Sequence, residues 1–176
     1  MKSVVDQLAM YSCYHRDGRN VMTHMVGIPL IVIALLALLS RPQWVFAGFY
    51  VTPAIALVAA GVIYYLMLDL ALGVLMAAIL ALTLWLGHSV AALSTPTWLS
   101  LGIGLFIVGW VFQFIGHGYE GRKPAFVDDI MGLVIGPLFV VAEVLFFLGL
   151  RKSLYKKVEG KVAILLPNMP PTSSKN

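Results

Sequence analysis

The chain has 176 residues, of which 60% are hydrophobic and only 11% are charged, and its mean hydropathy is +0.92. Soluble domains carry about 25% charged residues, so this composition excludes an ordinary water-soluble fold. The formal net charge of +4 lies next to the apolar runs, as membrane topology signals do. This distribution argues against a nucleic-acid partner.

The residues before the first apolar run carry positive charge but no secretory signal. The first dozen lack the apolar core of a cleavable signal peptide. Lys2, Arg16 and Arg19 precede the first run, and basic residues beside membrane segments tend to stay in the cytoplasm. We therefore expect a cytoplasmic N-terminus, in either a bacterial inner membrane or an endoplasmic reticulum.

Five apolar segments follow in chain order, and they predict an all-α, polytopic membrane bundle. They are Met25–Ser40, Trp44–Leu68, Leu70–Leu93, Trp98–Gly116 and Ile130–Leu150. The first is short, because sixteen residues give roughly 24 Å of helix, less than a bilayer core. The last contains Gly136-Pro137, which should kink or divide it. One segment is thus expected to be re-entrant or kinked.

The chain is expected to form one membrane domain and a tail. Residues 1–150 form the predicted integral-membrane catalytic domain, and 151–176 form a basic, Pro- and Ser-rich C-terminal tail. The single Cys13 excludes an internal disulfide framework. The sequence does not give the oligomeric state.

All four histidines lie at or near segment ends, at His15, His24, His88 and His117. Any one of them has an ordinary explanation, because polar groups at membrane depth find local partners. Together, four neutral imidazoles are suited to Fe, Zn or Cu. Strict alternation of crossings places His88 and His117 on opposite sides. A four-histidine site therefore needs a tilted or re-entrant element, and otherwise His88 lies outside the metal site.

Oxygen-bearing side chains share helix faces with two of these histidines. Asn20 precedes His24 by four residues, and Gln113, His117 and Glu120 follow at spacings of four and three, which place each set on one face. A metal-bound imidazole needs an acceptor for its second nitrogen. Asn20, Gln113 and Glu120 are therefore candidate site residues.

Two acidic residues have competing interpretations. Glu120 could instead be a loop carboxylate paired with Arg122 or Lys123. Glu143 lies well inside the last apolar segment, where an ionisable group is costly and usually faces a partner. It could be a proton carrier, a metal ligand or a buried hydrogen-bonding anchor.

Two stretches together resemble the signatures of the 2-hydroxy fatty acid dioxygenase family. The first is YHRDGRNVMTHMVGIPL, with the form YH, N, three residues, H, then G-x-P. The second begins at QFIGHGYE and continues through PA to an apolar run with P and E. The resemblance covers roughly Tyr11 to Leu150, and Tyr119 stands where the family pattern has phenylalanine.

The resemblance implies an Fe(II)-dependent α-oxidation, in which a 2-hydroxy fatty acid reacts with O₂ and becomes one carbon shorter. His15, His24 and His117 match motif positions as iron ligands, and His88 matches through the end of the third segment. Arg122 and Lys123 lie beside His117 and could meet the substrate carboxylate. The acyl chain would then lie among the helices, in contact with membrane lipid.

Two other functions compete with this interpretation. A non-catalytic lipid-binding or scaffold protein would use the histidines as interface anchors and would bind no metal. A b-type haem protein would place two histidines on facing helices and would show a Soret band.

Overall fold

The computed structural model describes residues 2–121 and 130–169. Arg122, Lys123 and the Asp128-Asp129 pair therefore lie outside the described residues. The protein divides into two compact units, one made of Met1–Val26 with Phe112–Asn176 and the other of Gly27–Val111. The all-α membrane fold predicted from the sequence is confirmed, with one small β-hairpin added.

The described elements follow in chain order: α1 (Val4–Cys13), α2 (Gly18–Leu39), β1 (Trp44–Phe46), β2 (Phe49–Val51), α3 (Pro53–Leu68), α4 (Leu70–Ala91), α5 (Thr95–Glu120), α6 (Met131–Phe147) and α7 (Lys152–Leu165). A short 3₁₀ turn, Leu166–Asn168, ends this part of the chain. Helices α2 and α5 each contribute residues to both units.

The first unit is built on α1, which packs against α6 and α7. Ser3 and Asp6 form a capping box that starts α1, as expected for these residues at this spacing. Helix α7 is amphipathic: Leu154, Val158 and Val162 recur every four residues and are buried, so they form one apolar face. The segment from 152 to 165 is thus a packed helix, within what the sequence suggested was a tail.

The second unit contains a helical hairpin of α3 and α4. Asp69 separates the two helices and caps α4, since its Oδ1 accepts a hydrogen bond from the Leu72 N–H at 2.9 Å. Gly73 permits the tight return, because a Cβ there would lie 2.6 Å from the Leu66 backbone. The predicted break at Asp69 is confirmed.

The first predicted segment was too short. Helix α2 begins at Gly18 and has 22 residues, about 33 Å, so it can cross a bilayer. Its first turns are polar, with Arg19, Asn20 and Thr23, and apolar patterning alone does not reveal them as helical. This extension makes His24 a helical residue in the second turn of α2.

The second predicted segment begins with strands rather than with a helix. Trp44–Phe46 and Phe49–Val51 pair as an antiparallel hairpin, and α3 starts only at Pro53. Aromatic and β-branched residues favour strands, and Ala47 and Gly48 form the turn with φ of 50° and 83°, as tight hairpin turns require.

The last predicted segment is not divided at Gly136-Pro137. Helix α6 continues through Pro137 from Met131 to Phe147. The chain instead bends by 117° between α6 and α7. Gly149 has φ of 71°, which ends α6 as C-terminal glycines commonly do.

Three described helices are long and apolar enough to cross a membrane, namely α2, α4 and α5. The bent pair of α6 and α7 fits either a broken span or a re-entrant loop, in line with the re-entrant or kinked segment predicted from the sequence, and α3 is a shorter apolar helix of 16 residues. Many large apolar side chains on these helices are exposed, such as Ile63, Leu82 and Ile107. Lipid is the solvent that suits such surfaces, so the chain is an integral membrane protein.

Candidate metal centre

Three histidines from separate parts of the chain meet in the first unit. His15 follows α1, His24 lies in the second turn of α2, and His117 lies in the last turn of α5. One ring nitrogen or another from each lies within 4.8 Å of the others. All three side chains are buried, with exposed fractions of 3%, 1% and 7% respectively.

Backbone carbonyls fix the tautomers of two of these rings. The Nδ1–H of His15 donates to the Tyr11 carbonyl oxygen at 2.7 Å, and that of His24 donates to the Asn20 carbonyl oxygen at 2.9 Å. A carbonyl oxygen can only accept, so each Nδ1 must carry the proton. Each Nε2 then presents a lone pair, as metal-binding imidazoles do.

The two Nε2 atoms of His15 and His24 lie 3.0 Å apart. Two lone pairs do not form a hydrogen bond, so a contact this short needs either a proton on one ring or a shared cation. Burial, together with the neighbouring His24, holds the pKa of His15 well below its usual value, which disfavours a proton on His15. Two nitrogens bound to one ion at about 2.1 Å and 90° lie about 3.0 Å apart, so the residues fit a metal ion.

Gly116 allows α5 to approach α2 at this site. A Cβ built on Gly116 would overlap Thr23 Oγ1 and Asn20 Oδ1, and would lie 3.2 Å from His24 Nδ1. Helix α5 can therefore lie this close to Thr23 and Asn20 of α2 because residue 116 has no side chain. A small residue at a close helix–helix contact is typical of membrane proteins.

Glu120 fastens the chain around His15 to the end of α5. Its carboxylate accepts hydrogen bonds from the backbone N–H of Arg16 at 3.0 Å and of Asp17 at 2.8 Å. It also accepts one from Asn20 Nδ2 at 3.2 Å, and Asn20 Nδ2 reaches the Tyr14 carbonyl oxygen at 3.3 Å. Because α2 starts at Gly18, a carboxylate here also suits the helix dipole.

These contacts separate the three oxygen-bearing candidates into two kinds. The side chains of Asn20 and Glu120 join the segments that carry the three histidines, so they are candidate positioning residues. Gln113 is different: its Nε2 is buried and has no hydrogen-bond partner among the residues that the structure describes. Gln113 lies four residues before His117 on α5 and therefore on the same helix face.

Replacing Glu120 with glutamine should loosen the metal centre without removing a ligand. The amide nitrogen of glutamine is a donor and cannot accept from Arg16 N–H or Asp17 N–H. We expect the affinity for Fe(II), the ion that the family resemblance implies, to fall about 10- to 100-fold, the usual cost of losing a group that orients ligands. Anaerobic Fe(II) titration of the purified protein measures this change, and excess Fe(II) should restore function.

Glu159→Gln is the matched control for that variant. Glu159 pairs with the Arg16 guanidinium at 2.9 Å, so it holds the same residue by its side chain rather than by its backbone. Surface ion pairs contribute little, and we expect Glu159→Gln to bind Fe(II) like the wild type. Equal affinities for Glu120→Gln and the wild type would contradict the positioning role.

His88 and Glu143 are not members of the three-histidine group. His88 is in the second unit, half-buried near the end of α4, and its Nδ1–H donates to the Leu84 carbonyl oxygen at 3.0 Å. Glu143 is half-buried on α6. Arg122 and Lys123 fall outside the described residues.

Sequence reasoning missed the two aromatic residues that pack against His15. The ring of Tyr11 stacks on His15 with centroids 4.2 Å apart and planes at 5°. The ring of Phe139 lies beside both, with its centroid 4.7 Å from that of Tyr11 and 5.5 Å from that of His15. The spacing of four between Tyr11 and His15 was an available signal, whereas nothing local connects α6 to this site.

The chain is similar in sequence to known proteins. A family profile described as "Mpo1-like: 2-hydroxy-palmitic acid dioxygenase Mpo1-like" matches residues 1–148. The chain belongs to the Mpo1-like family. This Mpo1-like protein is also similar to the 2-hydroxy-palmitic acid dioxygenase MPO1 of Saccharomyces cerevisiae, with 31% identity over 165 residues, covering 93% of this chain and 91% of that protein. No solved structure matches it.

Proposed function

We propose that this protein is an Fe(II)-dependent membrane dioxygenase that converts a 2-hydroxy fatty acid to the fatty acid one carbon shorter. The observation that carries the proposal is the buried group of His15, His24 and His117, with two Nε2 lone pairs directed at each other at 3.0 Å. The name of the yeast relative supports the substrate class.

The three neutral imidazoles suit iron rather than zinc as the metal of a dioxygenase. Zinc has no redox chemistry, whereas Fe(II) held by two histidines and a carboxylate, with open positions, is the usual site of non-haem oxygenases. Here a third imidazole takes the place of the carboxylate. Iron held by His15, His24 and His117 would supply activation of O₂ next to the substrate's hydroxyl and carboxyl oxygens. His88 is not needed for this set.

The overall reaction balances without an external reductant. A 2-hydroxy acid, R–CH(OH)–COOH, and one O₂ give R–COOH, CO₂ and H₂O. The bond between the hydroxyl carbon and the carboxyl carbon breaks, the substrate loses four electrons, and O₂ accepts all four. A site of this kind needs only iron, substrate and O₂.

Gln113 is the residue that we assign to the substrate carboxylate. Its buried Nε2 has no partner among the described residues, and a buried donor left without a partner is costly. A carboxylate oxygen would accept from it. Arg122 and Lys123, which follow α5 in the sequence, would attract the same anion to the membrane surface.

Gln113→Leu should therefore weaken substrate binding while preserving iron. Leucine removes the donor at similar volume, and we expect the KM for a 2-hydroxy fatty acid to rise about tenfold or more. Iron content should not change. Thermal unfolding of the iron-free variant should occur at the same or a higher temperature, because an unpaired buried amide has been removed. A wild-type KM in this variant would contradict the assignment.

The location of the site also constrains the membrane topology. Helix α2 begins and α5 ends at the metal centre, so those two ends lie on the same side of the bilayer. An even number of crossings must join them, and α2, α4 and α5 supply three. We therefore assign the fourth to α3, whose 16 residues give about 24 Å of helix, a length that local thinning of the bilayer accommodates. The basic residues of α7 and Lys2 indicate that this side is cytoplasmic.

The test is a reaction with purified protein in detergent, loaded anaerobically with Fe(II). Addition of 2-hydroxypalmitic acid and O₂ should yield the fifteen-carbon acid, measured by mass spectrometry. Palmitic acid, which lacks the hydroxyl group, and metal-free protein are the controls. Absence of the shortened acid from iron-loaded wild type would overturn the proposal and favour the lipid-binding alternative.

The geometry does not favour the haem alternative. A haem held by two histidines would need its iron between the two ligating ring nitrogens. The Nε2 atoms of His15 and His24 lie 3.0 Å apart, and the His15 and His24 rings meet edge to face with planes at 74°. A porphyrin does not fit between them.

A further inference from the structure

The β-hairpin between α2 and α3 exposes large apolar side chains without covering any of them. Trp44, Val45 and Phe46 of β1 are 61%, 67% and 76% exposed. Phe49 and Tyr50 of β2 are 75% and 71% exposed. In water, such a ribbon would be an aggregation site.

Both faces of this hairpin are apolar. Phe46 is paired with Phe49, while Val45 is paired with Tyr50, and adjacent pairs project to opposite faces of a strand ribbon. The side chains on both faces are about two-thirds or more exposed, so neither face packs on the rest of the second unit. A partner protein docked on one face would leave the other face in water, whereas a lipid environment surrounds both.

The neighbouring residues mark a membrane boundary in the second unit. The hairpin begins five residues after α2 ends and joins α3 directly. Arg41 lies between the end of α2 and the hairpin. Its guanidinium lies over the Trp98 ring, 4.8 Å from the ring centroid, and donates to the Leu93 carbonyl oxygen at 3.0 Å. Arginine and tryptophan at the ends of apolar helices are typical of the lipid–water interface.

We propose that the hairpin from 44 to 51 is an interfacial anchor whose partner is the lipid bilayer itself. It inserts Trp44, Phe46 and Phe49 on one face and Val45 and Tyr50 on the other among the lipids at the level where α2 ends. Its outer strand edges carry unpaired N–H and C=O groups, which hydrocarbon does not tolerate. The hairpin therefore lies at the headgroup–acyl boundary rather than in the bilayer centre.

The proposal does not depend on the enzymatic function, and it is tested by site-directed spin labelling. Single cysteines are introduced by Phe49→Cys and by Tyr50→Cys, one for each face, into protein held as one copy per lipid nanodisc. Cys13 is buried, and labelling of unsubstituted protein measures any background. The readout is the relaxation of each label by O₂, which partitions into lipid, and by a water-soluble nickel chelate.

Two further cysteines calibrate the measurement. Ile107→Cys, on an exposed face of α5, gives the lipid value, and Lys156→Cys, on the exposed face of α7, gives the aqueous value. We expect both hairpin labels to exceed the Lys156 site in O₂ accessibility and to show nickel accessibility several-fold below it. Both hairpin labels should lie at a shallower depth in the bilayer than the label at Ile107.

Other outcomes would overturn the anchor. Aqueous values at both hairpin positions would place the ribbon in water. Lipid values on one face only would indicate a protein covering the other. A second copy of the chain could also cover the hairpin. In that case the labels would be protected from the nickel chelate in liposomes and would show spin–spin broadening there. In single-copy nanodiscs the same labels would give aqueous values.

Discussion

His24→Ala is expected to purify with almost no iron after anaerobic Fe(II) loading and to form no shortened acid. The substitution removes the ring that faces both other histidines, with centroids 4.4 Å from His15 and 4.9 Å from His117. Loss of a ligand should exceed the roughly 10- to 100-fold effect of losing a group that only orients one. Metal analysis and product formation measure the two consequences separately.

His88→Ala is the matched control, since it removes the same side chain from a helix end outside the three-histidine group. We expect wild-type iron content and product formation. Iron loss in His88→Ala but not in His24→Ala would show that the cluster of three is not the metal centre. Iron loss in both variants would require His88 as a fourth ligand.

Gly116→Ala is expected to disrupt the site although it changes no polar group. The added methyl would overlap Thr23 Oγ1 and Asn20 Oδ1 and lie 3.2 Å from His24 Nδ1. Either Asn20 rotates and gives up its hydrogen bonds to Glu120 and the Tyr14 carbonyl oxygen, or α5 moves away from α2. Overpacking of this kind costs about 1–3 kcal/mol of stability. It should also move His117 away from His24, so iron affinity and thermal stability should both fall.

Gly118→Ala tests whether this loss is local. A Cβ at Gly118 meets nothing within 4 Å among the described residues, and alanine is the better helix former. We expect Gly118→Ala to retain iron and to unfold at the wild-type temperature or slightly above it. If Gly116→Ala behaved like Gly118→Ala, the close contact of α5 with α2 would not be what positions the histidines.

The position of the candidate metal centre suits the proposed fatty acid substrate. His15 and His24 lie at the start of α2 and His117 at the end of α5, so the site is at the ends of membrane helices. The carboxyl end of a fatty acid lies at the same level, and its chain remains in an apolar medium. The exposed side chains of Phe114 and Ile115 on α5 provide apolar surface nearby.

The sequence alone determined the class of fold and most of the candidate centre. Apolar runs of bilayer length require helices, because hydrocarbon offers no partners for backbone groups. Spacings of four placed Asn20 with His24 and Gln113 with His117, since helical periodicity is a local property. The two motifs also indicated the family that the comparisons confirm.

Only the tertiary structure decided which polar groups act together. Whether His88 joins the other histidines depends on how helices distant in sequence pack, and no local spacing reports that. The same holds for Glu120, whose partners Arg16 and Asp17 lie more than 100 residues away, and for Gly116, whose importance appears only when α2 lies against it. Periodicity specifies the face of each helix, whereas packing between helices selects the faces that meet.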